Sequence, residues 1–119
     1  MKDNVIQRKS YAFAVRIVEF TRELRERKIE TSIVNQLQRC GTSISANVEE
    51  AIAAISKKEF SSKLSISYKE ARESMYWIRL LHDTRSISDE EYRAMSLDCD
   101  ELARILFAIL RKTRMSNDK

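Results

Sequence analysis

Apolar residues recur at three- and four-residue steps along four long stretches of the chain, with polar residues filling the positions between. That spacing is the signature of amphipathic helices. It predicts helices over about residues 5–28, 32–55, 57–83 and 89–114. The first carries Ile6, Phe13, Ile17, Phe20 and Leu24 on one stripe, and the second Ile33, Leu37, Cys40, Ile44, Val48, Ala51 and Ile55. The third carries Phe60, Leu64, Ser67, Ala71, Met75 and Ile78, and the fourth Tyr92, Met95, Cys99, Leu102, Leu106 and Ile109. Ser56–Glu59 and Ser88–Glu91 both have the S-x-x-E spacing of a capping box and mark the third and fourth helix starts. Thr31 or Ser32 is the expected N-cap of the second helix. Helices of about 24 residues, roughly 36 Å long, joined by very short connections must run antiparallel to their neighbours. The expected fold is therefore all-α: one antiparallel up-down-up-down four-helix bundle spanning residues 1–119.

Some apolar residues do not fit one stripe per helix. Tyr11, Val15 and Val18 form a second line on the first helix, and Ile66 and Trp77 on the third, and Ile105 and Phe107 on the fourth, lie off the main stripes. A lone bundle of this size buries one face of each helix, so the surplus predicts a homo-oligomer interface at these seven residues. Tyr68, Tyr76 and Trp77 are candidate anchors for a further protein partner, because aromatic side chains favour interface centres.

Composition sharpens the picture at one point. The 119 residues contain one glycine and no proline, too few for the many turns of a β-rich fold. The single glycine, Gly41, falls inside the second helix, on the shoulder of its core stripe beside Val34, Val48 and Ile52. Glycine costs a helix interior about 1 kcal/mol relative to alanine. Close approach of a neighbouring helix or a bulky side chain is expected to offset that cost. The other shoulder carries Gln36, Arg39, Ser43, Asn47 and Glu50. With Glu70 and Glu73 on the third helix, Arg39, Ser43, Asn47 and Glu50 are the candidate members of a polar network; a plain solvated flank is the competing reading.

Charge adds a second candidate site. The net charge is +4, and antiparallel topology sorts it by end. Arg8, Lys9, Lys57, Lys58, Lys63, Arg111, Lys112 and Arg114, together with Lys2, are expected at one end, against Asp3, Glu59 and Asp118. The opposite end mixes both signs. A basic end of this kind would bind backbone phosphates of RNA or DNA without reading sequence.

Catalytic chemistry finds no support. His82 is the one histidine, whereas a bundle di-iron site needs Glu-x-x-His on two helices. Cys40 and Cys99 lack the spacing of a zinc site and are expected as buried reduced thiols, with a structural disulfide as the alternative. Serines are plentiful, but no G-x-S-x-G elbow accompanies them. No catalytic residue, metal, cofactor or small-molecule substrate is expected. Apolar runs are only a few residues long and no signal-peptide core is visible, so the expected setting is cytoplasmic, away from membranes.

One stretch carries a resemblance. "RCGTSISANVEEA", Arg39 to Ala51, followed by "SKKEFSSKLSISYKEARES" resembles the bacterial four-helix-bundle family associated with intervening sequences of large-subunit ribosomal RNA. That family reads R-x-x-x-S-I-x-A-N-[IV]-x-E, then K-K-E-F, then an S-x-A-x-x-E-like segment. Arg39, Ser43, Ile44, Ala46, Asn47, Val48 and Glu50 match the first motif and Lys57 to Phe60 the second; Ala71, Arg72 and Glu73 stand in the third. Glu50-Ala51 departs from the family's E-G. The resemblance spans about Ser10 to Arg111. It implies a four-helix bundle, a ring-like homo-oligomer with pentamers as the known form, and an uncharacterised role. The family is distantly similar to the accessory protein of diversity-generating retroelements, a basic pentamer that binds nucleic acid and a reverse transcriptase. Taken together, the expected function is a non-enzymatic oligomeric scaffold for a protein partner, or alternatively a sequence-independent nucleic-acid binder.

Overall fold

The computed structural model describes residues 4–117, with side chains through Arg114. Four helices follow one another: α1 (Val5–Glu26), α2 (Thr31–Ile52), α3 (Lys57–Asp83) and α4 (Asp89–Asn117). Cross-helix bonds fix the antiparallel sense. Gln7 meets Glu49 near one end of the α1–α2 pair, and Arg25 meets Asn35 near the other. Each helix packs on its sequence neighbours, and α1 closes the bundle against α4 along the sparsest of the four seams. The result is an up-down-up-down bundle about 50 Å long and 22–24 Å across.

Local chemistry sets the helix ends. Asn4 caps α1 by accepting from the Gln7 amide at 3.0 Å. Ser56 Oγ accepts from the Glu59 amide at 3.1 Å, and Ser88 Oγ from the Glu91 amide at 3.1 Å. Glu91 Oε1 in turn accepts from the Ser88 amide at 2.9 Å, so the second S-x-x-E closes as a full capping box. Glu59 reaches one residue further, to the Ile55 amide at 3.2 Å. The N-cap of α2 is Glu30, not Thr31 or Ser32, and it acts through its carbonyl alone.

Lacking a glycine at either place, the chain ends α1 and α3 on charged residues in the left-handed region. Lys28 has φ 60° and Arg85 φ 63°. After each, an amide reaches back across the helix end, Ile29 to Leu24 O at 3.1 Å and Ser86 to Leu81 O at 2.8 Å. This is the Schellman pattern that glycine usually supplies. It stops α1 at Glu26, two residues short of the expected boundary. At the other end, α2 stops at Ile52 because Ser56 must turn extended, at φ −144°, to cap α3. Ile55, expected in the core stripe, therefore lies in the turn and is 96% exposed.

The stripes otherwise meet in one core. Phe13, Ile17, Leu24, Leu37, Ile44, Leu64, Ile78, Leu102 and Leu106 are fully buried, and Leu81, Ile87 and Leu110 join them. Gly41 lies against Ile17 of α1. A Cβ at Gly41 would stand 2.8 Å from Ile17 Cγ1 and 3.0 Å from Cδ1 and Cγ2. The glycine thus answers to a branched side chain on the neighbouring helix.

Small and sulfur-bearing side chains fill the middle of the bundle. Ser67 Oγ donates across to Ile44 O of α2 at 2.8 Å, and Cys99 Sγ of α4 donates to Ala71 O at 3.2 Å. The Ser74 hydroxyl lies 2.8 Å from Glu70 O and 3.2 Å from Cys40 Sγ. Among the described residues no buried side-chain nitrogen or oxygen lacks a partner. Both cysteines are free and buried. Burial raises their thiols, Cys40 to about 11 and Cys99 to about 12.

Candidate binding surfaces

Arg39 stands on the outer edge of α2 and reaches across to α3. Its Nη1 lies 3.2 Å from Glu70 Oε2, its Nη2 bonds Glu73, and its Nε donates to Gln36 at 3.2 Å. Glu73 also accepts from Trp77 Nε1 at 3.0 Å. The Trp77 bond, then the Arg39 bond, hold the Glu73 carboxyl below the ordinary carboxylate range. Arg39 is 48% exposed at its side chain, so each pair contributes at most about 1 kcal/mol. The pairs tie the outer edge of α2 to that of α3.

The other residues expected in this network stand apart from it. Ser43 Oγ donates to Arg39 O at 2.6 Å and Asn47 Nδ2 to Ser43 O at 2.8 Å, each one turn back on α2 itself. Short polar side chains on a helix readily saturate on the carbonyl four residues earlier. Glu50 pairs with Lys63 at 3.6 Å. Of the six residues, the structure joins Arg39, Glu70 and Glu73. Trp77 is a further member, and its place four residues after Glu73 on the same helix face is the spacing that could have found it.

The cations expected at one end divide into two groups. Lys9 bonds Glu101 at 2.9 Å, which sets it about 15 Å along α4 from Arg111 at 1.5 Å per residue. Arg8 lines the same α1–α4 groove, and Lys63 is taken by Glu50. Arg8 and Lys9 thus face the α1–α4 seam, whereas Lys63 stays at the end with its charge offset by Glu50. The Tyr68–Phe107 contact, centroids 6.0 Å apart, aligns α3 with α4. It leaves Lys57 and Lys58 at the same end as Arg111, Lys112 and Arg114. All five are exposed, with no ion-pair partner among the described residues. Lys2, Asp3 and Asp118 lie outside the described residues.

The seven surplus apolar residues sit on several faces. Tyr11 is 63% exposed and Val15 43%, with Val18 half-buried beside them on α1. Phe107 and Ile66 are also exposed. Trp77 and Ile105 are half-buried and pack on the protomer's own core, as do Tyr68 and Tyr92. His82 spans the α3–α4 turn, its Nε2 2.6 Å from Asp89 Oδ1 and its ring stacked on Tyr92 at 4.2 Å. That bond to His82 lowers the Asp89 carboxyl.

One further surface has no counterpart among the sequence expectations. Between the outer edges of α3 and α4 run two cavities of about 560 and 460 Å³. The first is lined by Arg72, Met75, Tyr76, Arg79 and Tyr92, the second by Tyr68, Lys69, Phe107, Arg111 and Arg114. Periodicity marks core stripes well, but this groove is built from the flanks of two stripes, and only the packing angle brings them together. Among the described residues no group of three or more His, Cys, Asp and Glu side chains could hold a metal ion. No helix there is long and apolar enough to cross a membrane.

The profile of the 23S rRNA-intervening sequence proteins matches residues 2–108, nearly the whole chain. The chain belongs to that family. A crystal structure of a protein of unknown function from the S23 ribosomal protein family of Bacteroides thetaiotaomicron is similar over 93% of this chain and 99% of its own, with a TM-score of 0.89 and 42% identity. No curated protein sequence matches. Neither likeness points to an enzyme family.

Proposed function

We propose that this 23S rRNA-intervening sequence family member acts by binding rather than catalysis, as a cytoplasmic scaffold of several identical bundles that engages a protein partner. The α1 stripe carries this reading. Tyr11, Val15 and Val18 stand at i, i+4 and i+7, two of them exposed, and such a line is what a helix shows when its second face is covered by another copy. The family resemblance points to five copies. Val15→Glu tests it: light scattering on a sizing column should show wild type as a multimer and the variant reduced to one chain, with helical content unchanged. A wild-type protein that runs as one chain sinks the reading.

The alternative is sequence-independent nucleic-acid binding at the basic end. Lys57 and Lys58 favour it, because both occupy the first turn of α3, where the helix dipole disfavours cations. Phosphates there would meet two lysines and the amides of a helix start. Binding to a structured RNA should weaken steeply with salt and lose slope in Lys57→Glu/Lys58→Glu. A gel shift with no complex at low salt removes this reading.

A further inference from the structure

We infer that the α3–α4 groove is a docking site for an acidic amphipathic helix of a partner protein. The inference rests on the scaffold reading above and names the chemistry of what the scaffold holds.

The groove follows from helical spacing. On α3, residues 65, 68, 69, 72, 76 and 79 recur at three- and four-residue steps along the edge facing α4. Ser65 to Arg79 covers about 21 Å, the length of about 14 residues of a docked helix. The floor is apolar in one half, at Tyr68, Phe107 and Leu110, while the other half mixes Met75, Tyr92 and Ala103 with Glu73 and Asp100. Phe107 is 54% exposed, a large apolar ring left half in water at the centre of a concave surface.

The rims decide the sign of the partner. Lys69, Arg72 and Arg79 stand on α3 and Arg111 and Arg114 on α4, none with a carboxylate partner among the described residues. The two acids that touch the groove are committed elsewhere. Asp100 pairs with Arg104 at 2.8 Å, and Glu73 with Arg39 and Trp77. A partly apolar trough between two cationic rims complements a helix with apolar anchors at i, i+3, i+4 and i+7 and carboxylates on both flanks.

Nucleic acid fits this groove less well, because base stacking needs open ring faces. Tyr68 and Phe107 are tilted against each other at 44°, and Tyr76 has the Arg79 guanidinium 6.0 Å over its ring and Trp77 edge-on beside it. A second copy fits less well too. Its exposed apolar line on α1 is flanked by Arg8 and Arg22 as well as Glu19, so it brings no surplus of carboxylates to five cations.

The test uses the full chain and a fluorescein-labelled 16-residue peptide with leucines on one helical face and glutamates on the others. Anisotropy should show saturable binding that weakens with salt. A scrambled peptide of the same composition, and one with lysines for glutamates, should bind at least about tenfold more weakly. Phe107→Ser and Arg111→Glu should each weaken binding about tenfold with the thermal melt and copy number unchanged. Val15→Glu should change copy number and leave peptide affinity per chain intact, which separates failure of this inference from failure of the scaffold reading. The inference is overturned by absence of peptide binding to the folded protein, or by binding indifferent to Phe107 and Arg111. It is equally overturned if Phe107→Ser changes the copy number, or if a single-stranded oligonucleotide binds in a Phe107-dependent way while the peptide does not.

Discussion

Replacing Gly41 with alanine would ordinarily strengthen a helix by about 1 kcal/mol. Here it should do the opposite. The new methyl would meet three atoms of Ile17, at 2.8, 3.0 and 3.0 Å, and two of them, Cγ1 and Cγ2, are fixed to the same β-carbon. A β-branched residue in a helix holds one χ1 rotamer, and Ile17 is fully buried, so the contact is relieved only by moving α1 against α2. Overpacking of this kind costs about 1–3 kcal/mol. With Ile17 unable to turn aside, the upper part of that range applies and the net loss is about 1–2 kcal/mol after the propensity gain. A domain of this size should then melt about 3–8 °C lower, measured at fixed protein concentration because association shifts the midpoint. Ile17→Ala alone should cost about 2–5 kcal/mol through the cavity it leaves. The double variant should be more stable than the sum of the two predicts by about 1–3 kcal/mol, since the methyl introduced at position 41 then occupies part of that cavity. Chemical denaturation of the four proteins closes the cycle. A Gly41→Ala protein as stable as wild type, or strictly additive variants, would refute the close-packing account of this glycine.

Other consequences follow from the helix ends, the charges and the thiols. Lys28→Gly and Arg85→Gly should each stabilise the bundle by about 0.5–1 kcal/mol, because both residues hold left-handed backbone that costs a side-chain-bearing residue about 1–2 kcal/mol; unchanged melts would argue against Schellman ends. Arg27 bonds Glu91 at 2.5 and 3.1 Å and lowers its carboxyl from 4.5 to about 2. A depressed carboxyl contributes stability that is fully present above pH 4.5 and lost as the pH falls toward 2. Glu91→Gln, which retains the capping amide acceptor, should lose about 1 kcal/mol at neutral pH after allowance for solvent screening and show a flatter acid titration between pH 4.5 and 2. With thiols raised to about 11 and about 12 and fully buried, Cys40 and Cys99 should resist a thiol-specific disulfide reagent at about pH 8 and react only on unfolding; prompt labelling of the native protein would contradict their placement.

Most of the fold is written in side-chain spacing. The four apolar stripes and the two S-x-x-E boxes place the helices, and the scarcity of turn-forming residues leaves an antiparallel bundle as the consistent arrangement. Even Gly41 is legible, because a glycine in a helix interior needs a packing reason. Ends governed by backbone shape are less so. Nothing in "RERKIE" says that Lys28 turns left-handed, since glycine is the usual residue there, and spacing alone carries α1 two residues too far. Ile55 reads as core because it continues the α2 period past the point where Ser56 must turn to cap α3. Surfaces made by two helices are the least legible. The Arg39–Glu70–Glu73 cluster follows from facing charges, but the backbone bonds of Ser43 and Asn47 do not. The turn of Arg8 and Lys9 toward the α1–α4 seam depends on how far α1 and α4 are offset, and the α3–α4 groove depends on the angle at which those two helices pack. Neither is a property of one helix.

Native mass spectrometry of the wild-type chain, sprayed from volatile buffer across a range of micromolar concentrations, tests most directly whether copies of the bundle cover one another. A discrete assembly of identical chains is expected, five if the family resemblance holds in number, and Val15→Glu should take it apart. A spectrum dominated by single chains throughout that range would contradict the scaffold, and the Tyr11, Val15 and Val18 line would then be solvent-facing in the working protein.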